Sequence, residues 1–108
     1  MRYQVLLTGQ AERDLESIRD YIAESDSPVS ADRVLDVVLD IVTTLERFPE
    51  RGSHPRELLA LGHEEYRQIV HKPWRIFYRV IGNRVYIALI ADGRRDMRSL
   101  LAQRLLGA

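Results

Sequence analysis

The spacing of apolar residues first predicts a short strand and then an amphipathic helix. Residues 2–7 (RYQVLL) are mostly apolar and favour an extended conformation. After Thr8, apolar residues recur every three or four positions along one stripe, and charged residues fill the other positions. Thr8 is a favourable N-cap residue, so the first helix is expected to begin directly after it and to end near residues 24–26.

A second helical pattern starts at Ser27 and Pro28, which suit the N-cap and the first helical position. Its apolar stripe is broad and continues to about Phe48, before a proline ends it. The short link between the two helices predicts an antiparallel helical hairpin. Residues 49–64 are rich in residues that break helices, which predicts a loop or a short irregular helix.

Three strands are predicted next, at about residues 65–70, 74–81 and 84–91. Asp96 can then cap a short, leucine-rich last helix (MRSLLAQRLLG). The element order βααβββα predicts one α+β domain over residues 1–108. Its N-terminal helical hairpin would pack on a mainly antiparallel sheet, with a short C-terminal helix beside it.

The segment Gly82-Asn83 is typical of a two-residue hairpin turn between the last two strands. The predicted cross-strand pairs are Val80 with Val85, Tyr78 with Ile87, and Ile76 with Leu89. One face would then form the core and would carry Ile76, Tyr78, Val80, Val85, Ile87 and Leu89. The register of the strand at 65–70 is not determined by the sequence, so the face of Arg67 stays open.

The opposite face of this predicted hairpin interleaves arginine with aromatic and apolar residues. It would carry Arg75, Phe77, Arg79, Tyr86, Ala88 and Ile90. Such a face suits an acidic partner or nucleic acid. An ordinary solvated strand, on which long Arg stems cover apolar neighbours, gives the same pattern.

Charge is distributed unevenly along a chain whose formal net charge is zero. Residues 1–65 contain seven Arg and fourteen Asp or Glu, whereas residues 66–108 contain eight Arg and one Lys against two Asp. This asymmetry indicates an electrostatic partner for the basic half. Arg suits bidentate recognition of carboxylate or phosphate, although a GC-rich genome would produce the same preference for Arg over Lys.

Several classes of protein are excluded or disfavoured by composition. No apolar run approaches the roughly 20 residues that span a bilayer, and the N-terminus does not have the pattern of a signal peptide. The absence of cysteine excludes a disulfide scaffold, a thiolate metal site and a cysteine nucleophile. The three histidines are not spaced as metal ligands and no glycine-rich phosphate loop is present, so no cofactor or metal is expected. We expect a cytoplasmic location.

The chain resembles the ParE toxins of the RelE/ParE superfamily, also known as plasmid stabilisation proteins. The resemblance extends over essentially the whole length, from YQVLLTGQAERDLESIRDYI through SPVSADRV and LERFPERG. EYRQIVHKPWRIFYRV and VYIALIADGRRDMRSLLAQRLL match best. The most specific piece is the last strand that runs through Gly-Arg-Arg-Asp into a leucine-rich helix.

The resemblance implies the toxin of a type II toxin–antitoxin pair, which arrests growth when its antitoxin is missing. The antitoxin would be ParD-like, with a ribbon-helix-helix DNA-binding end and an acidic, apolar segment that wraps the toxin. Contact with operator DNA would be indirect, through the antitoxin. The implied target is DNA gyrase, which ParE toxins poison.

Two alternatives remain. RelE-like members of the superfamily cut mRNA on the ribosome with Lys or Arg groups and a proton-transferring side chain. Many of them carry His where this chain has Asp92, which weakens that alternative because an ionised carboxylate would repel the scissile phosphate. The other alternative is a degenerate, non-toxic binding module or corepressor.

Eight residues are expected at the functional surfaces. Those expected to bind the target are Arg94, Arg95, Arg67 and Arg75. Those expected to bind the antitoxin are Phe77, Arg79, Trp74 and Tyr86. For Arg94 and Arg95 the simpler alternative is a local ion pair with Asp92 or Asp96, and for Trp74 it is packing in the core or at an edge. No catalytic residue is assigned.

Overall fold

A computed structural model describes residues 2–107 and confirms the predicted α+β order, with a short helix in the segment predicted to be a loop or a short irregular helix. The elements are β1 (Gln4–Leu7), α1 (Gly9–Ser25), α2 (Pro28–Thr44), α3 (Arg56–Leu59), β2 (Tyr66–His71), β3 (Trp74–Ile81), β4 (Arg84–Asp92) and α4 (Met97–Leu105). The second helix ends at Thr44, before the predicted Phe48, and the chain continues in turns.

The predicted caps are present at all three long helices. The side-chain oxygens of Thr8 and Ser27 accept backbone N–H bonds from Ala11 and Ser30, each at 3.1 Å. Asp96 accepts the N–H of Ser99 at 3.3 Å and so begins α4. These bonds satisfy backbone donors that have no partner within the helix.

The sheet has the order β1-β4-β3-β2, with β1 parallel to β4 and the other neighbours antiparallel. The hairpin turn lies at Gly82-Asn83 as predicted. Only Gly82 has a positive φ there, 61°, which is the pattern of a type II′ turn and matches the twist of the flanking strands.

A β-bulge in β4 changes the predicted register. The predicted pairs of Val80 and Tyr78 are confirmed, but Phe77 pairs with Leu89 and Ile76 pairs with Ile90. Ala88 is therefore an additional residue without a partner on β3. The predicted pair of Ile76 with Leu89 is wrong, because an additional residue shifts every later side chain of the strand to the other face.

The two faces of the sheet consequently carry separate cores. The first core packs under α1 and α2, and its buried strand residues are Ile69, Ile76, Tyr78, Val85, Ile87 and Ile90. The second core packs under α3 and α4 and contains Leu58, Phe77, Leu89, Ala91, Met97, Leu100 and Leu101. Leu89 and Ile90 have thus exchanged the faces that the sequence predicted for them.

The backbone groups beside the bulge bind to side chains from two helices. Asp14 on α1 accepts the N–H of Ile90 at 3.1 Å, and Arg104 on α4 donates to the carbonyl oxygen of Ala88 at 3.1 Å. Arg104 and Asp14 also form a bidentate ion pair, with both N–O distances at 2.9 Å. This bracket connects α1, the bulge and α4, and it satisfies polar groups that the bulge removes from the ladder.

Candidate functional site

The turn after β4 presents the two arginines that were expected to bind the target. Asp92 accepts hydrogen bonds from the backbone N–H of Arg94 at 2.9 Å and from its Nε at 3.0 Å. This contact lowers the pKa of Asp92 to about 2, so the carboxylate is ionised at neutral pH. The Arg94 side chain is nevertheless 82% exposed. The local ion pair of Arg94 with Asp92, which was the simpler alternative to target binding, is therefore present. Arg94 nevertheless remains accessible to a partner.

Arg95 is exposed, and no carboxylate within residues 2–107 lies within ion-pair distance of it. The position of its turn is defined by Gly93, whose N–H donates to the carbonyl oxygen of Pro73 at 2.7 Å. A Cβ atom at Gly93 would lie only 3.1 Å from Cδ of Arg75. The turn is thus packed closely against the β2–β3 connection, and the two arginines project from a constrained backbone.

Arg75 is engaged inside the molecule. It forms a bidentate pair with Glu57 of α3 at 2.8 and 2.9 Å, and its Nε donates to Gln68 at 2.8 Å. Its guanidinium also lies 4.9 Å from the centroid of the Phe77 ring. The hydrogen bond from Arg75 is the main reason that the pKa of Glu57 is lowered to about 2. Only 14% of the Arg75 side chain is exposed, so this residue holds α3 on the sheet.

Arg67 is also bound inside the molecule, to the loop that follows α2. It pairs with Tyr78, which settles its face as the one toward α1 and α2. Its Nη1 donates to the carbonyl oxygen of Gly52 at 2.8 Å, and the N–H of Gly52 donates to the hydroxyl of buried Tyr78 at 2.9 Å. That hydroxyl in turn donates to Pro49. Arg67 and Tyr78 therefore hold the loop after α2, and Arg67 does not join Arg94 and Arg95.

The residues expected at the antitoxin surface have different degrees of burial. Phe77 is 0% exposed beneath α3 and α4, so the expectation that it lies on an exposed face is wrong. α4 covers it because its own leucines need an apolar surface to pack against. Trp74 is half-buried at the margin of the first core, consistent with the packing role considered for it.

Arg79 and Tyr86 are paired across β3 and β4 on the face of the second core. The guanidinium of Arg79 lies 5.8 Å from the ring centroid of Tyr66 on β2. Arg79 is exposed, Tyr66 and Tyr86 are half-buried, and Ile81 at the end of β3 is 51% exposed. We call this region the open half-sheet and define it as Tyr66, Arg79, Ile81, Arg84 and Tyr86.

No cluster of three or more His, Cys, Asp or Glu side chains suited to a metal ion occurs within residues 2–107. In the same part of the chain, no helix combines the length and apolar character needed to cross a membrane.

A family model for the ParE toxin of the type II toxin–antitoxin system parDE matches residues 5–97. The chain belongs to the ParE toxin family. Toxin ParE3 of Caulobacter vibrioides is 26% identical over 101 residues, which cover 94% of this chain and 97% of that protein. The predicted family resemblance is therefore confirmed, and the chain is a type II toxin of the ParE/RelE kind.

Two solved structures have the same fold as this ParE-family chain. The chromosomal ParDE toxin–antitoxin system from P. aeruginosa matches with a TM-score of 0.72 and 21% identity, covering 84% of this chain and 96% of that one. The toxin–antitoxin complex RelBE2 from Mycobacterium tuberculosis matches with a TM-score of 0.63 and 23% identity, covering 85% and 99%. These likenesses confirm the RelE/ParE-like fold.

Sequence reasoning missed the bracket formed by Asp14 and Arg104 in this ParE-family toxin. A signal for Asp14 existed, since it lies three residues after Ala11 and one turn before Ile18, on the otherwise apolar stripe of α1. A carboxylate on a buried stripe requires a partner. No local pattern indicated that the partner would come from the other end of the chain.

Proposed function

We propose that this ParE-family toxin inhibits DNA gyrase and is neutralised by a ParD-like antitoxin. The observation that carries the choice of gyrase over ribosomal mRNA is the state of Asp92. This carboxylate occupies the position where many ribonuclease relatives have His, and its pKa is lowered to about 2 by the hydrogen bonds from Arg94. At neutral pH it has no proton to donate.

An ionised Asp92 also opposes phosphate binding at this turn. General acid catalysis needs a side chain whose pKa lies near the working pH, and a scissile phosphate needs uncompensated positive charge. Asp92 instead forms an ion pair with Arg94, which neutralises the positive charge of that arginine. The other two arginines expected to bind the target, Arg67 and Arg75, are bound to a loop carbonyl and to Glu57. These contacts favour a binding surface over a nuclease centre.

The open half-sheet supports the proposal of a ParD-like partner. It combines two exposed arginines, Arg79 and Arg84, with the apolar and aromatic surface of Ile81, Tyr66 and Tyr86. An acidic and apolar segment that folds on binding could satisfy both kinds of surface at once. Such a partner would be present in the cytoplasm, where we also place the toxin and its proposed target.

The proposal is tested with purified toxin, freed of antitoxin, in two parallel assays. One measures supercoiling and cleavage-complex formation by gyrase, and the other measures mRNA cleavage on programmed ribosomes. Inhibited gyrase with intact mRNA is the expected result. Cut mRNA with normal supercoiling would establish the RelE-like alternative, and no effect in either assay, with no growth arrest in cells, would establish a non-toxic module.

A matched pair of double variants separates the two proposed surfaces. Arg94→Ala with Arg95→Ala is expected to abolish toxicity while antitoxin binding is kept. Arg79→Ala with Tyr86→Ala is expected to weaken antitoxin binding while toxicity is kept, because these residues lie on the open half-sheet. Full toxicity of the first double variant would contradict the assignment of the turn to the target.

A further inference from the structure

Trp74 lies between two clefts at one end of the sheet. One cleft, of about 210 Å³, lies between α2 and the β2–β3 turn and is lined by Arg33, His71 and Lys72. The other, of about 520 Å³, lies between α1 and the ends of β3 and β4 and is lined by Tyr21, Arg94 and Arg95. Trp74 lines both clefts, so they form one surface with a tryptophan at its centre.

Backbone hydrogen bonds fix the position of one cleft relative to the other. Trp74 is the β3 partner of Asp92, and the Gly93 N–H donates to the Pro73 carbonyl oxygen at 2.7 Å. The turn that carries Lys72 and the turn that carries Arg95 are therefore bonded side by side. We call this region the Trp74 surface and define it as Tyr21, Arg33, Lys72, Trp74 and Arg95.

The five residues of the Trp74 surface include three cations and no carboxylate. Among residues 2–107, the side chains of Arg33, Lys72 and Arg95 have no ion-pair partner. The two carboxylates in the larger cleft are both compensated, Asp14 by Arg104 and Asp92 by Arg94. The surface also offers the exposed ring of Tyr21, which is 69% accessible. Arginine and aromatic side chains are typical anchors of protein interfaces.

The surroundings limit the size of an acidic partner. On α1, exposed Asp20 and Glu24 flank Tyr21, and on α2, exposed Asp32 and Asp36 flank Arg33. A long nucleic acid laid across these helices would meet repulsion on both sides of the basic centre. A short protein segment can place one or two carboxylates among the cations, and an apolar side chain beside Trp74, without extending over the helices. The charge distribution therefore favours a short acidic protein segment.

The Trp74 surface and the open half-sheet lie apart. Trp74 and Ile81 are the first and last residues of β3, which places them about 23 Å apart at 3.3 Å per residue. Trp74 packs against the core under α1 and α2, whereas Arg79 and Ile81 lie on the other face. A short segment bound at one surface therefore does not cover the other.

We propose that the Trp74 surface binds a short acidic, apolar segment of the toxin's target protein, separately from the antitoxin. The inference rests on the proposed function. It extends the target-binding region from the turn after β4 to Arg33 and Lys72, and it moves Trp74 from the expected antitoxin surface to the target surface. Arg33 and Lys72 belong to α2 and to the β2–β3 turn, and neither is among the eight residues expected at the functional surfaces. Lys72 is the only lysine of the chain.

Charge reversal in cells tests the proposal. Arg33→Glu with Lys72→Glu is compared with a matched control, Arg19→Glu with Arg47→Glu, which reverses two other exposed arginines on α1 and after α2. The control is expected to arrest growth like the wild type. The Arg33 and Lys72 variant is expected to lose growth arrest, to inhibit gyrase at least tenfold less strongly, and to bind antitoxin with unchanged affinity.

Full growth arrest by the folded Arg33 and Lys72 variant would overturn the proposal, as would an equal loss in the control. The milder Lys72→Gln replacement, with circular dichroism as a check on folding, keeps the test decisive if the double variant does not fold. If the wild type arrests growth without affecting gyrase, the proposed target is wrong, and the growth readout of the variants still decides whether the Trp74 surface binds the target.

The single tryptophan provides a direct binding signal. Purified toxin is titrated with a synthetic peptide of Glu and Phe residues, with the same peptide carrying Lys in place of Glu, and with a single-stranded oligothymidylate. A saturable change in Trp74 fluorescence with the acidic peptide alone is expected, and it should weaken at least tenfold in Arg33→Glu with Lys72→Glu. Saturable binding of the oligothymidylate, or an equal response to the Lys peptide, would overturn the assignment.

Discussion

The two faces of the sheet are covered in different ways. Two helices of seventeen residues each, α1 and α2, cover the first face and bury its core. The second face is covered by the four-residue α3 and the nine-residue α4, which reach only the half that contains Phe77 and Leu89. The other half of that face is the open half-sheet. One face therefore serves stability, and the other combines a small core with an exposed surface.

This difference indicates where a toxin of this fold can change without losing its structure. The first core depends on long-range packing of several elements, so its residues are constrained by all of them. The open half-sheet and the Trp74 surface combine exposed charged side chains with half-buried aromatic ones. The charged residues of these two surfaces can be replaced by residues of opposite charge with little loss in the free energy of unfolding. The two faces of the sheet can therefore be tested separately.

The largest loss of stability is expected from a charged side chain introduced into the core of the first face. Ile87 is 0% exposed, and Ile87→Asp is expected to cost several kcal/mol because an unpaired carboxylate would be buried. Thermal unfolding followed by circular dichroism should show loss of the cooperative transition. Arg84→Asp, on an exposed residue of the same strand, is the control and should keep the transition. A folded, fully toxic Ile87→Asp protein would show that this face is not the core.

Phe77→Ala examines the covered half of the second face. Because Phe77 is 0% exposed, we expect a loss of about 3–5 kcal/mol in the free energy of unfolding from the cavity and the lost burial. Ile81→Ala, further along the same strand and 51% exposed, should change it by less than about 0.5 kcal/mol. Urea unfolding measures both. Equal, small effects would mean that α4 does not pack on Phe77 in solution.

Asp14→Ala tests the bracket that connects the two faces. Removal of the carboxylate leaves the Ile90 N–H without an acceptor and the Arg104 guanidinium without its ion-pair partner, which should cost about 1–3 kcal/mol. Amide exchange at Ile90 should become faster. Glu16→Ala, at an exposed position of the same helix, is the control. If a double-mutant cycle with Arg104→Met gave no coupling energy, the bracket would not exist in solution.

The smallest expected effect is the pH dependence of the contact between α3 and the sheet. The pKa of Glu57 is lowered from 4.5 to about 2, mainly by its hydrogen bond with Arg75. A carboxyl whose folded pKa is below its unfolded value stabilises the fold above the unfolded value, and this stability is lost as the pH falls from about 4.5 toward 2. The contribution should be at most about 1 kcal/mol.

Urea unfolding at about pH 7 and about pH 3 measures that contribution. The wild type should exceed Glu57→Gln in stability at neutral pH, and the difference should shrink in acid. A difference that stayed constant with pH would show that the ion pair does not contribute.

The helices, their caps and the hairpin turn could be predicted because each depends on residues close in sequence. Thr8, Ser27 and Asp96 cap their helices through neighbouring N–H groups, and Gly82 supplies the positive φ of the turn. The surfaces could be predicted less well. Arg94 and Arg95 lie exposed as expected, but Arg75 is paired with a glutamate from a helix eighteen residues away. No local pattern contains that contact.

The sequence by itself determined the order of elements, the helix caps and the family of this toxin, since apolar periodicity and turn residues act over a few positions. Only the tertiary structure decided which side chains each face carries. Ala88 is an additional residue in β4. Its carbonyl oxygen accepts from Arg104, and the N–H of Ile90 donates to Asp14, so side chains from opposite ends of the chain satisfy the backbone around the bulge. A strand alternates strictly between faces, so a single bulge supported from far away moved Leu89 under α4 and Ile90 under α1.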